Sequence, residues 1–190
     1  MTAVRPGPLP PMPVLDQISP GIFAATMAPL FEGAPRFLGR LAVARPFGSL
    51  EALFGRAREI AHAMPVAEQL ELVDAHPRLG APPASVSAMS FVEQGYAQDA
   101  AEQAARDAES ERARVAAELD RLNAAYESRF GFRYCVFVAG RPRADLLHDF
   151  QAALEADRLS ELRRAIDAVV DIAADRASKL GVAPVGEAPA

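Results

Sequence analysis

The sequence predicts an all-α fold, a single-domain multi-helix bundle, and three observations carry that prediction. Every long periodic segment repeats its apolar residues at spacings of three and four, the signature of one buried helix face. The segments open on Ser-Pro, Ser or Pro, and the last closes on Gly, which is the chemistry of helix ends. Only one stretch, Phe130 to Val138, is rich in the aromatic and β-branched residues of strands, and one strand cannot make a sheet.

Each element can be justified in order. Eight of the 16 prolines fall in the first 35 residues, so residues 1–15 are expected to be a disordered or polyproline-like tail outside the fold. Ser19-Pro20 caps a first helix running to about Phe31, with Ile22, Phe23, Met27 and Leu30 on it. A short helix near Arg36 to Val43 ends before Arg45-Pro46-Phe47-Gly48. Ser49 and Glu51 then start a helix that runs to about Ala63. Pro65 opens the next, which carries Gln69, Leu72 and Val73 and stops at about His76, because Pro77 pushes its predecessor out of the α region.

Residues 77–87 read as loop. Ser90-Phe91-Val92-Glu93 matches a capping box, and it equally matches a helix start that presents Ser90, Glu93 and Gln94 to an anionic ligand; the spacing alone leaves both open. From Asp99 to Arg129, Val115, Leu119, Leu122 and Tyr126 form one apolar stripe on a charged helix. Phe130 to Val138 should then run extended, or as a short helix, through the core. Pro142 starts a helix with Leu146, Leu147, Phe150 and Leu154. The last helix places Leu162, Ile166, Val169, Ala173 and Leu180 on one face and stops at Gly181. Arg176 falls about 20° from Val169 on that face, and a charge at the edge of a buried stripe calls for a partner. Residues 182–190 are expected to be a second disordered tail.

Composition narrows the function. A formal charge of −5 argues against nucleic acid or an anionic membrane as main partner. The single Cys135 allows no intrachain disulfide and fits a reducing compartment, so a cytoplasmic location is expected. No apolar run approaches the length of a membrane span. Among the 20 basic residues, 19 are Arg and one, Lys179, is Lys. The three histidines, His62, His76 and His148, have no metal-binding spacing, and no Gly-rich phosphate loop occurs. His62 and His148 read as surface or boundary residues, and Cys135 among aromatics reads as inert. What remains for an enzyme is acid–base chemistry at His76, aided by a carboxylate and an arginine.

At this point the landmarks form a pattern. Arg45-Pro46-Phe47, Ala75-His76-Pro77-x-Leu79, Ser90-x-x-Glu93-Gln94, Leu122-Asn123-x-x-Tyr126-x-x-x-Phe130-Gly131-Phe132 and the late Arg176 follow one another from about Ile18 to Leu180. In order and spacing the chain resembles the 2-oxo-4-hydroxy-4-carboxy-5-ureidoimidazoline (OHCU) decarboxylases. That resemblance implies an all-α fold of the OHCU decarboxylase type, usually a homodimer. It implies conversion of OHCU to (S)-allantoin and CO2 in urate degradation, with neither metal nor cofactor. Carried over, His76 is the catalytic acid or base and Glu93 assists it, while Arg176 holds the substrate. Pro77, Ser90, Gln94, Phe132, Tyr134, Cys135, Val136 and Phe137 line the pocket. Electrons left by CO2 delocalise into the substrate's own ring as an enolate, so the protein has to orient, stabilise an oxyanion and return a proton.

The sequence departs from the family where Glu32-Gly33-Ala34-Pro35-Arg36 replaces the usual Glu-x-Ser-Pro-Trp; Arg78 stands where an acid is common and Arg133 where a Pro is usual. Two other functions fit the same residues: action on another ureido or imidazole acid, and a non-catalytic helical ligand-binding module.

Overall fold

The computed structural model of the chain describes residues 7–82, 86–94 and 106–183. Its helices are α1 (Met12–Gln17), α2 (Pro20–Met27), α3 (Pro35–Val43), α4 (Leu50–Ala63), α5 (Val66–Asp74), α6 (Ala88–Glu93), α7 (Arg106–Phe130), α8 (Arg143–Ala153) and α9 (Arg158–Leu180), with a 3-10 turn over Ala28–Leu30. Among the described residues no strand forms, only an isolated bridge between Leu9 and Val182. The expected all-α fold is the observed one.

The predicted helix ends hold where a short polar side chain meets the first turn. Ser19 accepts from the Ile22 N–H at 3.4 Å and Ser49 from the Ala52 N–H at 3.1 Å. Pro65 and Pro142 stand one residue before their helices, and α9 stops at Gly181, whose φ of 71° suits glycine. At its other end the Asp157 carboxylate accepts from Leu159 and Ser160. The apolar stripe of α9 is buried from Leu162 to Ala177, with Leu180 half-buried, and α4, α5 and the 3-10 turn pack on this helix. α9 is thus the central post, and Arg176 is on it.

Two expectations are corrected. Leu9 and Leu15 are buried and Met12–Gln17 is helical, so part of the stretch set aside as a tail belongs to the fold. What draws it in is Arg45, which donates to the carbonyls of Leu15 at 2.9 Å and Ile18 at 2.6 Å, while Asp16 accepts from the N–H groups of Phe47 and Gly48. The Arg-Pro-Phe landmark therefore fastens the amino-terminal segment. The second correction is the capping box: Ser87, not Ser90, caps α6, accepting from the Ser90 N–H at 3.2 Å. Ser90 and Glu93 are engaged elsewhere. The tail residues 1–6 and 184–190, the loop residues 83–85, and residues 95–105 before the long helix lie outside the described residues.

Residues 131–142, between α7 and α8, have neither helix nor strand and cross the core as a strap. Tyr126 packs against Phe130, Phe132, Tyr134 and Phe150, and Tyr134 stacks on Phe150 with centroids 3.8 Å apart. Such pairs add roughly 0.5–1.5 kcal/mol each beyond burial. From the other side Arg133 donates to the carbonyls of Asp74 and His76, and its own N–H meets the Asp74 carboxylate at 2.8 Å. Arg164, itself held by the buried Glu161, donates to the Cys135 carbonyl at 2.9 Å. The aromatic composition that mimics a strand instead fills the core beneath a rigid loop.

Gly80 lies in the loop after α5 and packs against Leu119 of α7. Its φ is +81°, and a Cβ there would come 2.9 Å from Leu119 Cδ1. Gly80→Ala should destabilise the protein by about 1–3 kcal/mol, through strain and crowding together, measurable as a lower urea midpoint at unchanged slope.

Candidate active site

The site grows from the break after α5. His76 sits just beyond the helix, its N–H bonded to the Val73 carbonyl at 3.1 Å, and Pro77 keeps the chain from continuing as helix. The imidazole is 4 % exposed, yet neither ring nitrogen has a hydrogen-bond partner among the described residues. Burial drives its pKa down, to about 4, and the Arg176 charge adds to that; Glu32 and the Leu72 carbonyl, which the ring does not meet with hydrogen-bond geometry, pull the other way without reversing it. At neutral pH the ring is uncharged, with a vacant acceptor and an idle donor.

The ring opens on a cavity of about 240 Å³. Pro77, Ser90, Glu93, Gln94, Tyr134, Cys135, Val136, Phe137 and Arg176, all expected there, share its wall with His76. Phe132 does not line it; this ring is buried in the core against Tyr126 and Phe130. Cys135 is fully buried, which pushes its thiol up to about 12, so it is a neutral wall residue as expected. His62 lies outside, bonded to Asp167 at 2.8 Å, and His148 is exposed.

Arg176 does find a partner, in fact several. Nε and Nη2 form a bidentate pair with Glu93 at 2.7 and 2.8 Å. Nη1 donates to the carbonyls of Pro29 and Leu30, both at 3.1 Å. Nη2 also reaches Glu32 at 2.9 Å and the Ser90 hydroxyl at 3.1 Å. All the nitrogens of the guanidinium are committed, and the group is 0 % exposed. Two expectations change accordingly. Arg176 organises the wall of the site with no donor left over, and Glu93 is bonded to Arg176 instead of holding His76. Gln94 also works structurally: its Oε1 accepts from the Gly80 N–H at 2.8 Å and ties α6 to the His-Pro loop.

The donors left for a ligand lie on the strap and at the rim. No backbone N–H from Tyr134 to Gly140 donates a hydrogen bond among the described residues, and these residues all line the cavity. Lys179, one turn beyond Asp175 on α9, lines it too and meets Asp175 at 2.6 Å while staying largely exposed. Sequence reasoning missed Asp175 and Lys179, although a lone Lys among arginines was visible. It also missed Glu32, although this Glu is kept where the Ser and Trp of the family's Glu-x-Ser-Pro-Trp stretch are lost.

Comparison with known proteins supports the helical fold and gives the family. The OHCU decarboxylase family model matches residues 16–178. A uric acid degradation bifunctional protein of Bacillus subtilis (strain 168), PucL, is 31% identical over 159 residues, covering 84% of this chain and 30% of that protein. The uric acid degradation bifunctional protein TTL of Arabidopsis thaliana is 27% identical, covering 70% of this chain and 44% of its own length. The chain thus spans less than half the length of these curated relatives. A crystal structure of OHCU decarboxylase in the presence of (S)-allantoin superposes with a TM-score of 0.58 at 27% identity, covering 78% of this chain and 92% of that one. An (S)-allantoin synthase, at 16% identity and a TM-score of 0.61 over 90% of this chain and 54% of that one, shares the fold. With the helical architecture, the His-Pro wall and a family match across most of its length, the chain belongs to the OHCU decarboxylase family.

Proposed function

We propose that the chain decarboxylates OHCU to (S)-allantoin and CO2, using no metal or cofactor. The observation that carries this reading is the buried, uncharged His76 with both ring nitrogens unpartnered on a cavity of about 240 Å³. Buried polar groups are rarely left without partners unless water or a ligand supplies them. Family membership supplies the substrate class.

The substrate's chemistry suits these groups. C4 of the ring carries the hydroxyl and the carboxylate, and C5 carries the ureido group and a double bond to nitrogen. As CO2 leaves, its bonding pair becomes a C4–C5 double bond and the C5–N pair moves onto nitrogen, which takes a proton. The enol so formed loses its hydroxyl proton while C5 gains one, and this yields (S)-allantoin. A neutral imidazole can accept the hydroxyl proton and deliver a proton to one face of C5, which sets the enantiomer. The idle N–H groups of the strap supply donors where oxyanion charge develops. With Arg176 fully committed, the substrate carboxylate is met by those N–H groups and, from the rim, by Lys179.

The test is circular dichroism during urate breakdown by uricase and hydroxyisourate hydrolase. Adding this protein should turn slow, racemic allantoin formation into a rapid signal of the S enantiomer. An unchanged signal sinks the reading. Because the substrate is its own electron sink, turnover should also persist in excess EDTA; activity lost to the chelator and restored by zinc or magnesium would count against it. Among the described residues there is no group of three His, Cys, Asp or Glu able to hold a metal. No described helix is long and apolar enough to cross a membrane. A homodimer is proposed on the family resemblance, with sedimentation equilibrium as the check, and a cytoplasmic location on the single cysteine.

A further inference from the structure

The turn between the 3-10 turn and α3 carries a carboxylate that the arrangement above does not use. Glu32 has φ of 51°, and with Ala139 it is one of two non-glycine residues at positive φ among the described residues. A side chain in that region costs roughly 1 kcal/mol or more, so something must hold it there. One oxygen does: Oε1 accepts from the hydroxyls of Ser87 at 2.8 Å and Ser90 at 2.7 Å and from Arg176 at 2.9 Å. Oε2 makes no hydrogen bond among the described residues. Burial opposes the charge on this group, but Arg176, the two serines and His76 outweigh it, and its pKa is lowered. Glu32 is therefore an anion, fixed by one oxygen to Ser90 and Arg176, which share the cavity wall with His76.

Glu93 is differently placed, with both oxygens on Arg176. We propose that Glu32 is a positioning residue of the active site, the carboxylate that accommodates positive charge on His76 while that ring carries the hydroxyl proton, and that Glu93 serves Arg176. The proposal rests on His76 as the proton carrier. Charge counting explains the need. Arg176 from α9 carries +1, Glu93 from α6 and Glu32 from the turn carry −1 each, and the resting ring is neutral, which leaves −1. A proton arriving on His76 brings the cluster to zero. Without Glu32 the cluster starts at zero and the same proton takes it to +1, in a site where burial and Arg176 already disfavour the charged ring. Asp175 and Lys179, at the rim, cancel each other. Three hydroxyl and guanidinium donors on Oε1 keep Glu32 from turning away, and the strained backbone is the cost of bringing it there.

The experiment compares Glu32→Gln and Glu32→Gly with the wild type, by steady-state kinetics on OHCU and by NMR titration of 13C-labelled histidine in the substrate-free protein. Gln keeps the shape without the charge, and Gly suits the positive φ. We expect kcat to fall about tenfold or more in both with KM changed by less than about threefold. The His76 resonance should begin to titrate at lower pH than in the wild type, and added formate should restore part of kcat in Glu32→Gly. Wild-type titration of His76 in either folded variant overturns the proposal. So does loss of fold in both, which would make Glu32 a structural residue. The titration needs no turnover, so a wild type inactive on OHCU refutes the decarboxylase reading separately from the coupling of Glu32 to His76.

Discussion

Arg176→Ala should unfold the protein more readily before it weakens binding, with a loss of about 3–5 kcal/mol in stability. The guanidinium is fully buried, and its removal leaves Glu93 and Glu32 without their shared counter-charge and two main-chain carbonyls without a donor. Against a typical total of about 5–15 kcal/mol this is a large share. Urea unfolding at neutral pH reads it directly. Arg176→Lys should recover little, because one ammonium cannot replace a planar fork that serves two carboxylates and two carbonyls. A variant with an unchanged urea midpoint and a raised KM would restore the simpler role, a substrate-holding arginine, that the sequence suggests.

His76→Asn should behave in the opposite way, losing about 10²–10⁴-fold in kcat while remaining folded. Among the described residues the ring makes no hydrogen bond, so its loss breaks none there. The sign of its pH effect follows from its depressed pKa. The unfolded chain takes a proton on this histidine near 6.5 and the folded one only near 4, so protonation favours unfolding as pH falls through that window. Stability lost between those two pH values should thus be smaller in His76→Asn than in the wild type, and a difference of the opposite sign would mean that the folded ring is charged. A folded variant with near wild-type kcat would make the histidine structural.

How much of this could be read from the chain depends on the range of the interaction that fixes each feature. Ser19, Ser49, Pro65, Pro142 and Gly181 act on their own first or last turn, so their helices are legible in sequence. Ser90 and Glu93 have the spacing of a local cap, but a buried cation 83 residues away from Glu93 in sequence takes both side chains, and no local rule anticipates that. The strap after Phe130 misleads for a similar reason: its rings answer to Tyr126 and Phe150 on neighbouring helices, not to a partner strand. His76 itself stands out through Pro77 alone. Its missing partners, the property that makes it chemically available, emerge only when α5, α9 and the strap close around it. Glu32 is visible as the retained Glu of a family stretch that is otherwise altered, but its partners Ser87, Ser90 and Arg176 lie 55 to 144 residues away and no local rule names them.

The bridge between Leu9 and Val182 has a topological consequence. Leu9 donates to the Gly181 carbonyl at 2.9 Å and accepts from the Ala183 N–H at 2.8 Å, so the two limbs of the fold leave it hand in hand, at the carboxyl end of the helix that carries Arg176. A short linker could join them into a circular chain and new ends could be cut in an exposed turn, such as the one after α8, without moving the catalytic wall. For the same reason a second domain attached at either limb would hang from one point on the surface. Its motion would then be transmitted to the last turn of α9, which carries Lys179, rather than to opposite poles of the bundle.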